Sequence, residues 1–311
     1  MTFSHRKRAA SLSKQITKSI IGPRLLNLRF LSGSHLAYRP GHFYSPICNA
    51  DDLARHYRDP QAPSQAVALP GIALNESAQR HLWDQWRPFL AEMPFKATPQ
   101  PSFRYYFDNP NFGPGDATVL YCMLRYFNPK RLIEIGSGYS SACALDTIDQ
   151  HLSTGVQCTF IEPFPELLLS LLKPSDLSHV QIINKPVQET DIEMFDVLDE
   201  NDILFIDSSH VLKTGSDVNF ELFEILPRLK KGVIVHIHDI HYPFEYPREW
   251  VIERNYSWNE VYAVRAFLMY NNSFDVLFFN DQFGHLFGDL VARDAPAMLT
   301  NHGGGLWLYR G

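Results

Sequence analysis

The run RLIEIGSGYSS, residues 131–141, decides how the chain is read. Residues suited to a strand end at Gly136, and Gly138 follows one residue later, ahead of the helix-like SSACALDTIDQHL (140–152). A glycine turn between a strand and a helix lets backbone N–H groups approach a ligand with no Cβ in the way. Glu134 stands just before the first glycine, which gives an E-x-G-x-G pattern.

The alternation continues downstream. VQCTFIE (156–162), VQIIN (180–184), DILFID (202–207) and GVIVHIHD (232–239) read as strands. Helices are expected over 116–127, 165–172 and 216–229, with a short one near 190–198. Strands alternating with helices at this spacing imply βαβ units and a parallel sheet. The strands are nearly all apolar, as required where helices cover both faces. After a further helix (259–271), FDVLFFN (274–280) and GLWLYR (305–310) read as strands, with loop-like residues between them. Two strands without a long crossover helix pair most simply antiparallel. The expected fold class is therefore α/β: a doubly wound, Rossmann-like sheet of five parallel strands plus a terminal strand pair, one of them antiparallel.

Upstream, residues 36–115 are rich in proline and aromatics and read as a cap or lid. The exception is NESAQRHLWDQWRPFLAEM, where Leu82, Trp83, Trp86, Phe89 and Leu90 fall at helical spacing with Asn75 or Ser77 as N-cap. Residues 1–35 read as a basic arm with a helix near 11–20. The first 50 residues hold eight Lys/Arg and no Asp or Glu, against a net charge of −6 for the whole chain. That overall balance argues against binding nucleic acid through phosphate neutralisation. No segment reaches the ~18 consecutive apolar residues of a membrane span. The four cysteines form no CxxC pair, which suits a reducing compartment. The acid-free, Arg- and Ser-rich head is compatible with a transit peptide, but the cytoplasm is the default expectation.

At the strand ends, Glu162 lies where an acid can accept both ribose hydroxyls of an adenosine. This fits NAD and S-adenosylmethionine alike. Glu134 favours the latter, because an anion there repels a pyrophosphate and suits an amino-acid ammonium. Tyr139 and Ser141 also depart from the small residues of a dinucleotide turn. The second strand-end group is Asp207-Ser208-Ser209-His210, and the third is His236, His238, Asp239 and His241. A histidine suits proton removal near neutral pH, and His236 reads as a satisfied buried residue. The aromatic segment after the fifth strand (242–258) reads as an acceptor pocket or as packing, with Glu245, Arg248 and Glu260 the polar groups that would select an acceptor.

Residues 116–311 resemble a class I S-adenosylmethionine-dependent methyltransferase, on LIEIGSGYSS, TFIEP and DILFIDSSH…LPRLKKGVIVHIHDI together. The wording of the last stretch is most similar to methyltransferase family 24. The resemblance implies methyl transfer from S-adenosylmethionine to a small-molecule acceptor, with oxygen the expected target atom. Cofactor contacts would come from Glu134, Gly136, Ser137, Gly138, Tyr139, Ser140, Glu162, Gln188 and Asp207. His210, His238 and Asp239 would be catalytic, with His210 as the base. In place of a Gly-Asp pair after the third strand the chain has NKPVQE, so Gln188 or the Val187 backbone stands in for the adenine contact. The resemblance to catechol-type enzymes puts Asp207 and Asp239 on metal-ligand positions, but Ile240 replaces an Asn ligand, and metal dependence stays open. An NAD(P)-dependent oxidoreductase and a non-catalytic adaptor are the alternatives, and a homo-oligomer is left open.

Overall fold

The computed structural model describes residues 37–57, 68–152 and 155–311. The chain divides into two compact units, Met1–Asp59 and Pro60–Gly311. In the first, the described residues form one helix, α1 (Ala50–His56), whose N-cap Asn49 accepts from the Asp52 N–H. The expected arm and its helix near 11–20 lie outside the described residues. Residues 68–115, read from sequence as part of a cap, belong to the second unit and share its core.

The second unit is built on a seven-stranded sheet. Its strands are β1 (Arg131–Ile135), β2 (Gln157–Ile161), β3 (Val180–Ile183), β4 (Ile203–Ile206), β5 (Ile234–Ile237), β6 (Phe274–Phe279) and β7 (Leu306–Arg310). The order is β3-β2-β1-β4-β5-β7-β6. The first five strands run parallel, and β7 pairs antiparallel with both β5 and β6. β1, β4 and β5 are buried nearly end to end, as their apolar sequences require.

Two apolar cores fill the space on the two faces. Leu132, Phe160, Phe205 and Trp307 join one, and Ile133, Ile161, Ile206 and Leu308 the other. This is the alternation of side chains across a strand. The first core takes in α2 (Glu76–Ala91), α3 (Pro114–Phe127) and α4 (Tyr139–His151). Trp83 and Trp86 of α2 are fully buried there, stacked or tilted against Phe278. Asn75 precedes α2 as expected, but its side chain donates to the Val276 carbonyl (3.1 Å) instead of capping the helix.

Three local expectations differ. The helix near 190–198 is a 3₁₀ turn, Ile192–Val197. The helix expected over 216–229 is α6 (Asp217–Phe220), then a π turn (Glu221–Ile225) and a 3₁₀ turn holding Pro227, whose missing N–H breaks regular bonding. The loop expected between β6 and β7 contains two short helices, α8 (Asn280–Leu286) and α9 (Gly288–Asp294). Between β2 and β3 lies α5 (Glu166–Leu171), and α7 (Glu260–Leu268) precedes β6. Strand order reverses between β1 and β4, so a crevice opens at their carboxyl ends.

Candidate active site

The turn after β1 forms that crevice. Gly136 sits at φ +78°, and a Cβ there would lie 1.7 Å from the Asp207 carbonyl oxygen. The tips of β1 and β4 therefore touch through backbone alone, and only glycine allows it. Ser137 N–H donates to Glu162 Oε2 (3.1 Å), and Phe164 N–H to Glu162 Oε1 (2.8 Å). The Glu162 carboxylate is thereby fixed at the end of β2, facing the turn. A cavity there is lined by Gly136, Ser137, Gly138, Tyr139, Ser140, Glu162 and Asp207. The sequence reading brought these seven residues together, but missed Asn111, Phe112 and Leu167, which line it too.

Two expected cofactor residues are placed elsewhere. Glu134 is buried behind the turn, where its carboxyl accepts from the Ser140 hydroxyl. It braces Ser140 and does not line the cavity. Gln188 is exposed, with its amide 3.5 Å from the Gly215 carbonyl, and is not among the lining residues.

Phe112 reaches the site because the segment before it is tied down. The Arg104 guanidinium donates to Asp146 (2.6 Å) and Asp176 (2.5 Å), and the Arg104 and Tyr105 N–H groups both donate to Asp146 Oδ2. Asp146 belongs to α4, so the helix that begins at the glycine turn also anchors residues 104–112.

Burial raises the Glu134 carboxyl to about 8, against the pull of the Ser140 and Ser141 hydroxyls and with help from Asp207 and Glu162. A carboxyl raised from 4.5 contributes stability that is complete below that value and lost as pH rises through about 8. His238 acts in the same direction. Burial disfavours its charge, but Asp207, Asp239 and Asp116 overcome this and push it up to about 9. Its contribution is complete below 6.5 and lost as pH rises through about 9. The melting temperature of the ligand-free protein should therefore fall from about pH 5 to about pH 9. Glu134→Gln should flatten part of that fall. A melting temperature that climbs over this range contradicts the assignment.

Beyond the turn, the ends of β4 and β5 hold a charged cluster. His210, in left-handed conformation (φ 59°), is buried. Its Nδ1 lies 2.9 Å from Glu260 Oε2, and its Nε2 lies 3.5 Å from Asp207 and 3.4 Å from Asp239. Burial opposes a charge on this ring, but hydrogen bonds to Asp207 and Glu260 and the nearby Asp239 raise its proton affinity well above the ordinary histidine range. The residue expected to supply the base is thus one whose carboxylate neighbours favour its charged form. Asp207 is kept ionised: burial favours its neutral form, but His238 and His210 win.

His236 and His238 share a side of β5, as alternation requires, and contact one another at 3.2 Å. His236 is stacked on Phe205 and held neutral by burial and by the neighbouring charge of His238. It was expected to be fully satisfied, yet its Nδ1 has no hydrogen-bond partner among the described residues. Glu260, expected to select an acceptor, is buried and bonded to His210. Of the other two, Glu245 accepts from the Tyr262 hydroxyl and Arg248 pairs with Glu253 at 3.4 Å.

Residues 133–240 match the model of methyltransferase family 24, described as a methyltransferase domain. This span is therefore similar to a methyltransferase domain. It runs from the third residue of β1 to just past Asp239, and so contains the glycine turn, Glu162, and the tips of β4 and β5. An uncharacterized protein of Archaeoglobus fulgidus is 29% identical over 168 residues, which cover 53% of this chain and 75% of that protein. Among solved structures, the O-methyltransferase TomG of Streptomyces achromogenes, in complex with SAM, is 17% identical. The match covers 77% of this chain and 92% of that one, at a TM-score of 0.40. The SAH-bound methyltransferase PaMTH1 of Podospora anserina is 16% identical, with 85% and 97% covered and a TM-score of 0.41. The sheet order and the single reversed strand are those expected for a methyltransferase domain of the Rossmann-like type. No helix among the described residues is long and apolar enough to cross a membrane.

Proposed function

We propose that the methyltransferase domain takes its methyl group from S-adenosylmethionine and passes it to an oxygen of a small-molecule acceptor without a metal ion. The cofactor reading is supported by the cavity at the β1 turn, where fixed backbone N–H groups and the Glu162 carboxylate face one another. When bound, the cofactor supplies an electrophilic methyl group on a sulfonium. Glu162 accepts the ribose hydroxyls, and the turn, braced by the Glu134–Ser140 hydrogen bond behind it, holds the methionine end. Residues 104–112 serve as the cap, with Phe112 screening the site from water.

The metal-free reading rests on His210. Asp207, His238 and Asp239 offer ligand atoms within 4.8 Å of one another. However, the His210 ring already sits between the two carboxylates, 3.5 and 3.4 Å away, where an ion shared by them would have to be. The charge that a divalent ion would bring is present in the rings, so the set does not fit a resident metal. Asp207 and Asp239 lie on the open side of these rings, and their carboxylates suit a cationic methyl donor. The Asp239 carboxylate, partly exposed and held by His210, takes the acceptor proton as the oxygen attacks.

The test is methyl transfer from labelled cofactor to a panel of hydroxylated small molecules, with and without exhaustive chelation. Turnover of any accepted substrate should change by less than about threefold on chelation. Activity that vanishes with chelator and returns with Mg²⁺ would overturn the metal-free assignment.

A further inference from the structure

A second cluster lies at the same edge of the sheet, beyond β5. Asp281 and His285 are one turn apart on α8, so both side chains share a helix face. His302 comes from the loop ahead of β7. His285 Nε2 lies 3.2 Å and His302 Nδ1 3.7 Å from the same oxygen, Asp281 Oδ1. The three ligand atoms all fall within 4.8 Å of one another. The other oxygen, Oδ2, is already engaged by the Tyr242 N–H (2.9 Å), with His241 Nδ1 at 3.7 Å. The carboxylate is thus oriented from behind, and its free oxygen points at two imidazoles.

We propose that Asp281, His285 and His302 form a binding site for one first-row divalent transition-metal ion of the Zn²⁺ type. Ligand bonds of about 2.0–2.1 Å in a tetrahedron put neighbouring ligand atoms about 3.3 Å apart. The observed 3.2 and 3.7 Å need only small adjustments. Two nitrogens and one oxygen suit zinc or cobalt better than magnesium, which prefers oxygen throughout. Side-chain exposures of 13% for Asp281, 28% for His285 and 20% for His302 leave a path for the ion and a place for water as fourth ligand. The orienting bonds to Asp281 Oδ2 are of the outer kind that tunes metal sites.

Gly284 is the second observation. A Cβ at this position would lie 2.2 Å from the His302 ring. The helix therefore lacks a side chain exactly where His302 must pack to face Asp281. The ion would join α8 to the loop before β7. The Gly304 carbonyl of that loop accepts from Ile240 N–H (2.7 Å), the residue after Asp239. The ion's role is to clamp this loop; it takes no part in methyl transfer, and the site stands whether or not the cofactor reading holds.

The experiment is metal analysis and Co²⁺ titration of the full-length, chelated protein. The expected result is one Zn²⁺ per chain at micromolar concentration, tetrahedral Co²⁺ absorption bands, and a higher melting temperature with Zn²⁺. His285→Gln, His302→Gln and Gly284→Ala should each weaken Zn²⁺ binding by about 10²-fold or more while circular dichroism shows a folded chain. Asp207→Asn should leave it unchanged, which separates this site from the cluster at β4 and β5. If folded wild-type protein retains no zinc under these conditions, the three residues are an ion-paired cluster only and the proposal falls. It falls equally if Asp207→Asn removes the binding and His285→Gln does not.

Discussion

Asp239→Asn should lower kcat by about 10²- to 10⁴-fold while cofactor affinity stays within a few-fold of wild type. An amide keeps the shape of the carboxylate but cannot take a proton from an attacking hydroxyl. Asp239 does not line the cavity at the glycine turn, and S-adenosylhomocysteine carries no sulfonium charge for it to attract, so binding of that product should change little. The substitution also removes one of the three carboxylates around His210, whose Nε2 lies 3.4 Å away. The His210 imidazolium should then release its proton more readily, and the alkaline limb of the pH–rate profile should move to lower pH. Calorimetry with S-adenosylhomocysteine and steady-state kinetics separate the two effects. Turnover near that of wild type would remove Asp239 from the chemistry.

Gly136→Val should cost at least about 10²-fold in affinity for S-adenosylhomocysteine. Its Cβ would sit 1.7 Å from the backbone oxygen of Asp207, which cannot swing aside as a side chain can. The positive φ adds strain for a β-branched residue. Either the β1 tip separates from β4 or the turn flips, and both outcomes dismantle the cavity. Gly215→Val is the matched control: φ is +73° there, but no atom lies within 4 Å of the added Cβ. It carries the conformational penalty without the collision, roughly 1 kcal/mol or somewhat more. Equal loss of affinity in both variants would mean that general destabilisation, and not the turn, is being read.

The sheet was legible because its signals are local. An apolar strand such as ILFI is bounded by Asp202 and Asp207, and the glycine turn marks a strand end without reference to anything distant. The pairing of β6 with β7 followed from the lack of a long helix between them, although α8 and α9 did not show, each being only seven residues. What was not legible depends on groups that meet only in the fold. His210 reads as a base while its neighbours are unknown. Glu260, on α7, bonds its Nδ1 and favours the charged ring, and no spacing rule links the two positions. Glu134 reads as a ligand contact, but the strand buries its side chain behind Ser140. Phe112 enters the site because Arg104 is gripped by Asp146 and Asp176, a long-range ion network without a sequence signature. The second histidine cluster left one trace, the one-turn spacing of Asp281 and His285; His302 joins only through the β6–β7 pairing.

The central claim is that the turn after β1 and the acid after β2 grip one adenosyl ligand. Calorimetry of S-adenosylhomocysteine against wild-type protein and Glu162→Ala tests it most directly, since Glu162 is both fixed by the Ser137 N–H and part of the cavity wall. The account predicts one site per chain in the wild type at micromolar affinity, and a loss of at least about tenfold in the variant from removal of a charged hydrogen-bond acceptor. No binding by folded wild-type protein, or equal affinity in the two proteins, would contradict it.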